Sequence, residues 1–336
     1  MEVEGFEMST TEEMPDPLAV WTLINSHVVA RCIHMVADFG VPDALEGEPV
    51  TADELAARTG MDADALARML RLLSAHGLFA SHPAGWVHTP RSELLRSDHP
   101  QSLRSFARMI GTNAWPAFTE LAQPARTGRP ALGWQAMMAR FAEHPDEAAL
   151  FSQAMVDKSA AVVPAVVEAY DFSTFATVVD VGGGTGRLLS AILEQSTATT
   201  GVLFELPHVV ADASAAASDR LRLVAGDFFV DPLPSADAFV LMEVLHDWTD
   251  DDAARILNAV RGAAAPGARL LVVEVLVPDT PGPDDSKVLD IIMLAVTGGR
   301  ERTREQYEML LADAGFQLER IVPTRSSYFV VEAIAV

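Results

Sequence analysis

Cationic side chains are scarce in this chain of 336 residues: 24 Lys and Arg stand against 47 Asp and Glu, a formal net charge of −23. So acidic a surface repels phosphate backbones and anionic bilayers, which excludes nucleic acid and membrane as main partners. Lysine is nearly missing, with only Lys158 and Lys287 beside 22 arginines. One cysteine, Cys32, rules out an internal disulfide and a cysteine-rich metal site. The nine histidines include no pair with metal-ligand spacing and supporting carboxylates. The first 13 residues are acidic and lack a basic-then-apolar leader. Strongly apolar runs such as residues 270–277, which include Glu274, fall well short of the ~20 residues of a membrane span. No fixed-period repeat and no low-complexity tract is present. The expectation is a cytoplasmic, reduced globular protein, and its 49% apolar content supports a large core.

Three segments follow from the patterning. Residues 1–16 are polar and acidic, and residues 18–39 place apolar side chains at helical spacing, ended by Gly40 and Pro42. Thr51 to Glu54 reads as a capping box, Asp62 caps a second helix over 63–76, and residues 78–88 read as a hairpin. Helix, turn, helix and wing make residues 1–100 a winged-helix unit. Residues 101–168 read as all-helical, interrupted by Pro, Gly and Trp. From 169 to 336, short β-branched runs at 177–181, 202–205, 221–225, 238–242 and 270–276 alternate with helix-length stretches. Those five predict a parallel sheet with crossover helices. Residues 317–322 and 328–335 predict an antiparallel pair at its edge.

Residues 178–186 (VVDVGGGTG) run from a buried strand into a helix, where glycines let a ligand sit against main-chain N–H groups. The dinucleotide fingerprint counted from Gly182 needs glycine at 187, and position 187 is Arg. The pattern here leads with Asp180 and spaces Gly182, Gly184 and Gly186 two apart. A buried carboxylate at its head suits an ammonium group better than a pyrophosphate. Glu205 ends the second strand 19 residues past Gly186, near the distance at which a carboxylate takes ribose hydroxyls. Asp227, in the GDFF segment with Phe228, suits an exocyclic amine while the ring packs on a purine. An ammonium acceptor, a diol acceptor and a purine site at successive strand ends describe S-adenosylmethionine.

These residues carry a family resemblance. The chain resembles the caffeic-acid-type and acetylserotonin-type small-molecule O-methyltransferases, particularly bacterial relatives in antibiotic and pigment biosynthesis. The matching stretches are 180–186 (DVGGGTG), 204–209 (FELPHV), 226–229 (GDFF), 245–248 (LHDW) and 298–303 (GGRERT). The resemblance implies a class I S-adenosylmethionine methyltransferase domain, α/β with a Rossmann-like seven-stranded sheet, behind an all-helical winged-helix dimerisation domain. It implies a homodimer and a metal-independent reaction. It carries cofactor contacts onto the loop glycines, Glu205 with Leu206 beside it, Asp227, Phe228 and Ser159. It places Met155, Trp115 and Met293 on the substrate side, and Phe151 and Asp247 are further candidate substrate contacts. Two departures stand out: Glu205 where the family usually has Asp, and Met242 where many members carry a cofactor-holding Lys.

The resemblance makes His246 the base, flanked by Glu274 and Glu301, and the chemistry agrees. His246 follows the 238–242 strand, at the end where such sheets place their sites. A phenol, with a pKa of ~10, is a poor nucleophile near pH 7. A neutral imidazole accepts its proton, and such help is worth about 10²–10⁴-fold. A carboxylate on the other ring nitrogen fixes the tautomer and stabilises the imidazolium. Glu274, in an otherwise apolar strand where an unpaired carboxylate is costly, is the expected orienter. Glu301 is the expected second acidic contact, with a surface ion pair to Arg300 or Arg302 as the other reading of the residue itself. Two other readings stay open: the same fold and cofactor running a non-methylating reaction, since fold does not fix reaction, and a winged-helix transcription regulator. The second meets an obstacle, because residues 1–100 hold 6 Arg and no Lys against 16 acids, and DNA binding asks for a basic face.

Overall fold

The computed structural model describes residues 15–130 and 132–336. The acidic start, where frayed chain and the absence of a leader were expected, lies almost wholly outside them. The chain forms two compact units, one ending at Gly111 and the other spanning Thr112–Val336, so the helical stretch 101–168 is divided between them.

The N-terminal unit begins with a 23-residue helix, Asp16–Asp38. Thr51 and Glu54 form the expected capping box on helix Ala52–Thr59, and the Asp62 side chain caps Ala63–Ser74; such caps are each worth ~1 kcal/mol. Strands β1 (Ala80–His82) and β2 (Gly85–Val87) pair antiparallel as the wing. Leu55, Leu66, Leu70, Leu73 and Phe79 fill a core beneath them. The first helix contributes to that core only near its C-terminal end, through residues such as Val36 and Ala37. Its earlier apolar stripe is exposed: Trp21 at 65%, Leu23 at 72% and Ile24 at 63%.

The C-terminal unit is built on β3 (Thr177–Val181), β4 (Thr200–Glu205), β5 (Leu221–Ala225), β6 (Ala238–Met242), β7 (Arg269–Val275), β8 (Phe316–Pro323) and β9 (Tyr328–Ala335). They form one seven-stranded sheet in the order β5-β4-β3-β6-β7-β9-β8, parallel except where β9 pairs with β7 and β8. The first five strand positions and the antiparallel edge agree with the sequence pattern to within two residues. Alternate residues serve opposite faces. Val179, Val181, Phe239 and Leu241 face one apolar layer, and Val178, Val240, Leu271 and Val273 the other. Burial on both faces is what a parallel sheet requires.

The 25-residue helix Pro145–Ala169 is long and apolar enough to cross a membrane by length and composition. Its Val162, Val163, Val166 and Val167 instead pack into the second sheet layer, and Lys158 forms a largely buried ion pair. It is a core helix. The strand order reverses around β3, which has β4 on one side and β6 on the other. Open α/β sheets bind ligands at that switch point, at the strands' C-terminal ends.

Candidate active site

At the end of β3, Gly182, Gly184 and Gly186 all adopt positive φ, at 72°, 57° and 77°, where a side chain would be strained. Gly183, not singled out in the sequence, is the tightest position of the loop. A Cβ there would stand 2.3 Å from the Asp180 carboxyl carbon. The loop therefore folds directly over Asp180, which is 1% exposed and whose two carboxylate oxygens have no partner among the described residues. Burial, reinforced by the charge of Glu205, raises Asp180 to a pKa of about 7. Glu205, at the end of β4, is also raised by burial, against backbone N–H bonds from Leu206 and Gly184. A buried and a half-buried carboxylate beside a glycine cradle form a ready acceptor for a cationic ligand.

Two further residues expected at the cofactor follow β5. Asp227 sits after β5, its Oδ1 accepting the Phe229 N–H at 2.8 Å. Phe228 comes close to Gly182, 3.8 Å from the position of an added Cβ. Phe228 and Phe229 meet edge-on at 4.8 Å, and Phe229 meets Trp248 at 4.7 Å. Met242 ends β6, half-buried against the second sheet layer. Ser159 is half-buried on the long helix, and its hydroxyl donates to the Val156 carbonyl at 2.9 Å. These residue types fit S-adenosylmethionine: acids for its ammonium and ribose hydroxyls, an aromatic for its base.

Beyond β6, residues 245–247 make a short 3-10 turn that buries His246 at 5% exposure. Here one expectation is corrected. Glu301, not Glu274, orients the ring: its Oε1 lies 2.7 Å from His246 Nδ1. Glu274 holds the main chain, its Oε1 accepting the His246 backbone N–H at 3.1 Å and its Oε2 the Tyr307 hydroxyl. The reason lies in the segment that carries each acid. Glu274, on β7, meets the backbone of the turn, whereas Glu301, from the 298–303 loop, reaches the ring. Glu301 Oε2 is buried without a partner among the described residues.

The 298–303 loop is the lid of this turn. Its Arg302 is fully buried and donates to the Leu245 carbonyl at 2.9 Å and the Trp248 carbonyl at 3.1 Å, with Asp250 as counter-ion. Gly299 packs so closely that a Cβ would stand 1.9 Å from the His246 carbonyl oxygen. Arg302, Gly299 and Tyr307 escaped the sequence reading. Arg302 was visible there only as a surface partner for Glu301, and no one-dimensional signal marks a buried carbonyl clamp.

Burial pushes His246 down, but Asp247, Glu301 and Glu274 outweigh it and raise the ring to about 10. Asp247 Oδ1 lies 3.9 Å from Nε2, and burial raises this acid to about 6. Of the residues expected on the substrate side, Trp115 opens helix Trp115–Thr119, which packs against Asp285–Val296, the helix of buried Met293. Phe151 and Met155 are half-buried on the long helix. Trp134, read in the sequence only as an interruption, links Phe151 at 6.3 Å to Trp248 at 6.2 Å.

A glycine cradle over a buried acid at the switch point, with a carboxylate-held imidazole on the neighbouring strand, defines a class I S-adenosylmethionine-dependent methyltransferase. Residues 118–317 match the O-methyltransferase domain and residues 21–98 the O-methyltransferase dimerisation domain, and the chain belongs to that family. It is 37% identical to the phenazine O-methyltransferase PhzM of Lysobacter antibioticus, over 93% of this chain and 94% of that one. Human N-acetylserotonin methyltransferase, solved with S-adenosylmethionine, superposes with a TM-score of 0.87 at 26% identity, covering 98% and 99% of the two chains. NcsB1 from neocarzinostatin biosynthesis, solved with S-adenosylmethionine and 2-hydroxy-5-methyl naphthoic acid, gives 0.79 at 32% identity, covering 91% and 96%. The non-methylating alternative finds no support in these relatives, and the winged unit falls within the dimerisation family rather than pointing to a regulator.

Proposed function

We propose that this chain methylates a phenolic hydroxyl of a polyketide- or antibiotic-like aromatic natural product, with His246 as general base. The observation that carries this reading is the 2.7 Å contact between His246 Nδ1 and Glu301. A carboxylate only accepts, so in the neutral ring Nδ1 keeps its hydrogen and donates it, and the free lone pair falls on Nε2; with the ring raised to about 10, that neutral form grows as pH rises. Asp180 and Glu205 hold the ammonium and ribose ends of the cofactor, and Asp227 and Phe228 its base. When bound, the cofactor would supply a methyl group on a cationic sulfur, open to in-line attack by the acceptor oxygen with the neutral thioether as the leaving group. Nε2 takes the proton of that oxygen, and the new imidazolium is stabilised by Glu301 and Asp247. Its raised pKa of about 10 matches a phenol's ~10, so the proton moves between groups of similar affinity. Half-buried Trp115, Phe151 and Met155 and buried Met293 present an apolar surface to a planar ring, and position supplies much of the rate.

The reading extends to a homodimer in the cytoplasm. The dimerisation-family match and the exposed Trp21, Leu23 and Ile24 stripe support the dimer, because contiguous apolar patches on a lone subunit mark interfaces. Incubation with methyl-labelled cofactor and a panel of phenolic polyketides and simple phenols, read by mass spectrometry, tests the reaction. Label on a phenolic oxygen is expected, and label on carbon, or none with any acceptor, overturns it. Sedimentation should give a dimer, and Ile24→Asp should make it a monomer.

A further inference from the structure

One buried cluster beside the site has no part in the mechanism above. Glu243 follows β6 directly and precedes His246 by three residues. It is one of two non-glycine residues with positive φ among those described, at 55°, a conformation that persists only where the surroundings over-determine it. Those surroundings are specific. Lys158 Nζ, from the long helix, and the Tyr328 hydroxyl, from β9, both donate to the same oxygen, Glu243 Oε1. The Glu243 backbone N–H donates to the Val273 carbonyl on β7 at 3.1 Å. Lys158 also stands 5.9 Å from the centre of the Tyr328 ring. The ion-paired side chains are only 21% and 14% exposed. In a chain with two lysines, one is placed here.

We infer that Lys158, Glu243 and Tyr328 are positioning residues, a buried clamp that ties the Met155 and Ser159 helix to the turn presenting His246 and trims the charge around its ring. The inference rests on His246 being the base. The tie is geometric: one oxygen joins the long helix, the β6 end and the sheet edge, and it holds the left-handed residue from which the turn starts. The electrostatic part follows from proximity. The ring is raised by Asp247 from its own segment, Glu301 from the 298–303 loop and Glu274 from β7, while Glu243, three residues before it, is lowered by Lys158 and by the ring, and Lys158 also offsets Asp247. Arg302 and Tyr307 close the far side, on Glu274. Lys158 is thereby held charged and Glu243 ionised, since their attraction outweighs burial. Removing one member of such a pair strands the other, whereas removing both is far milder.

The test compares Glu243→Gln, Lys158→Met and the double variant in the full-length enzyme, with His246→Ala alongside. Glu243→Gln keeps the shape and removes a negative charge near the ring. The imidazolium is then less favoured, and the acid limb of kcat/KM should move to lower pH by about 0.5 unit or more. The cofactor Kd should stay within ~2-fold, because the Asp180 and Glu205 cradle is untouched. Lys158→Met should lower kcat by ~10-fold or more, as misplacement of a reacting group does, and the double variant should recover most of that loss. A Glu243→Gln profile that coincides with the parent's overturns the inference, as does a double variant no better than Lys158→Met. If Lys158→Met does not fold, the Glu243→Gln profile decides alone. If His246→Ala keeps full turnover, the general-base reading fails instead, and the two failures are distinguishable.

Discussion

Glu301 Oε1 stands 2.7 Å from His246 Nδ1, and this one contact separates the duties of the two glutamates that flank the histidine. Glu301 acts on the ring and Glu274 on the backbone that carries it. Both are fully shielded from solvent, and burial raises Glu274, with the nearby Glu301 adding to the shift and His246 opposing it.

Glu301→Gln should therefore be the more damaging variant for rate. A glutamine can donate to Nδ1, which moves the ring proton to Nε2 and removes the base. Turnover should fall by ~10²–10⁴ with an unchanged cofactor Kd. Glu274→Gln leaves the ring contact in place but sets an amide against two donors, the His246 N–H and the Tyr307 hydroxyl. It should lower the melting temperature more and kcat less. Equal losses of kcat in the two variants would refute the division of labour.

Asp180 supplies a trade between stability and binding. Its pKa is raised from 3.8 to about 7, so the folded state holds the proton more tightly than the unfolded one. Its contribution to stability is full below pH ~3.9 and is lost as pH rises through 7. Asp180→Asn should melt higher than the parent at pH 8 without ligand and flatten the fall in melting temperature between pH 5 and 8. The same change should weaken cofactor binding by calorimetry. A parent and variant with parallel melting curves across that range would show that the carboxylate is not strained by burial.

The sheet was legible because each strand announces itself. β3 reads as an apolar run interrupted by Asp180 and ending in Val181, and the runs behind β3, β5, β6 and β9 match the observed strands end to end. The turn at residues 182–186 was legible because its glycines are spaced for positive φ, and the place of His246 because it follows the end of β6. What escaped was side-chain reach between distant segments. Glu274 and Glu301 carry the same functional group, and only the angle at which β7 and the 298–303 loop approach the turn assigns one to the backbone and one to the ring. The stripe at Trp21 and Ile24 has helical spacing that suggests a core face, yet it is exposed, because periodicity cannot say whether an apolar face meets its own chain or another. Arg302 looked like a surface cation in an acidic chain and is fully buried.

Gly299 offers a sharp geometric test. A Cβ at that position would overlap the His246 carbonyl at 1.9 Å, whereas one at Gly262 meets nothing within 4 Å. Gly262 lies inside helix Asp250–Ala263, so Gly262→Ala should stabilise by about 0.5–1 kcal/mol and leave kcat alone. Gly299→Ala must push the 298–303 loop off the turn, moving Glu301 with it. It should lower kcat by ~100-fold, the cost typical of a displacement near 1 Å. Full activity in Gly299→Ala would mean that the loop does not seat on the His246 carbonyl.

The last prediction concerns pH. Burial alone would depress His246, yet the acids around it raise the ring to about 10, with Asp247 the largest of the opposing influences. A folded pKa above the unfolded ~6.5 means that the ring's contribution to stability is full below 6.5 and is lost as pH rises through about 10. Catalysis runs the other way. Nε2 must be free to accept a proton, so kcat/KM should climb with pH from 7 towards 9. Asp247→Asn removes a charge 3.9 Å from Nε2 and should bring the acid limb to lower pH, because the imidazolium loses its nearest counter-charge on that side. The two groups are coupled and titrate as a pair. The comparison is therefore between whole profiles, and since Asp247 is also a proposed substrate contact, the position of the limb matters rather than its height. A limb that stays in place in Asp247→Asn would leave Glu301 as the acid that sets the ring's affinity for its proton.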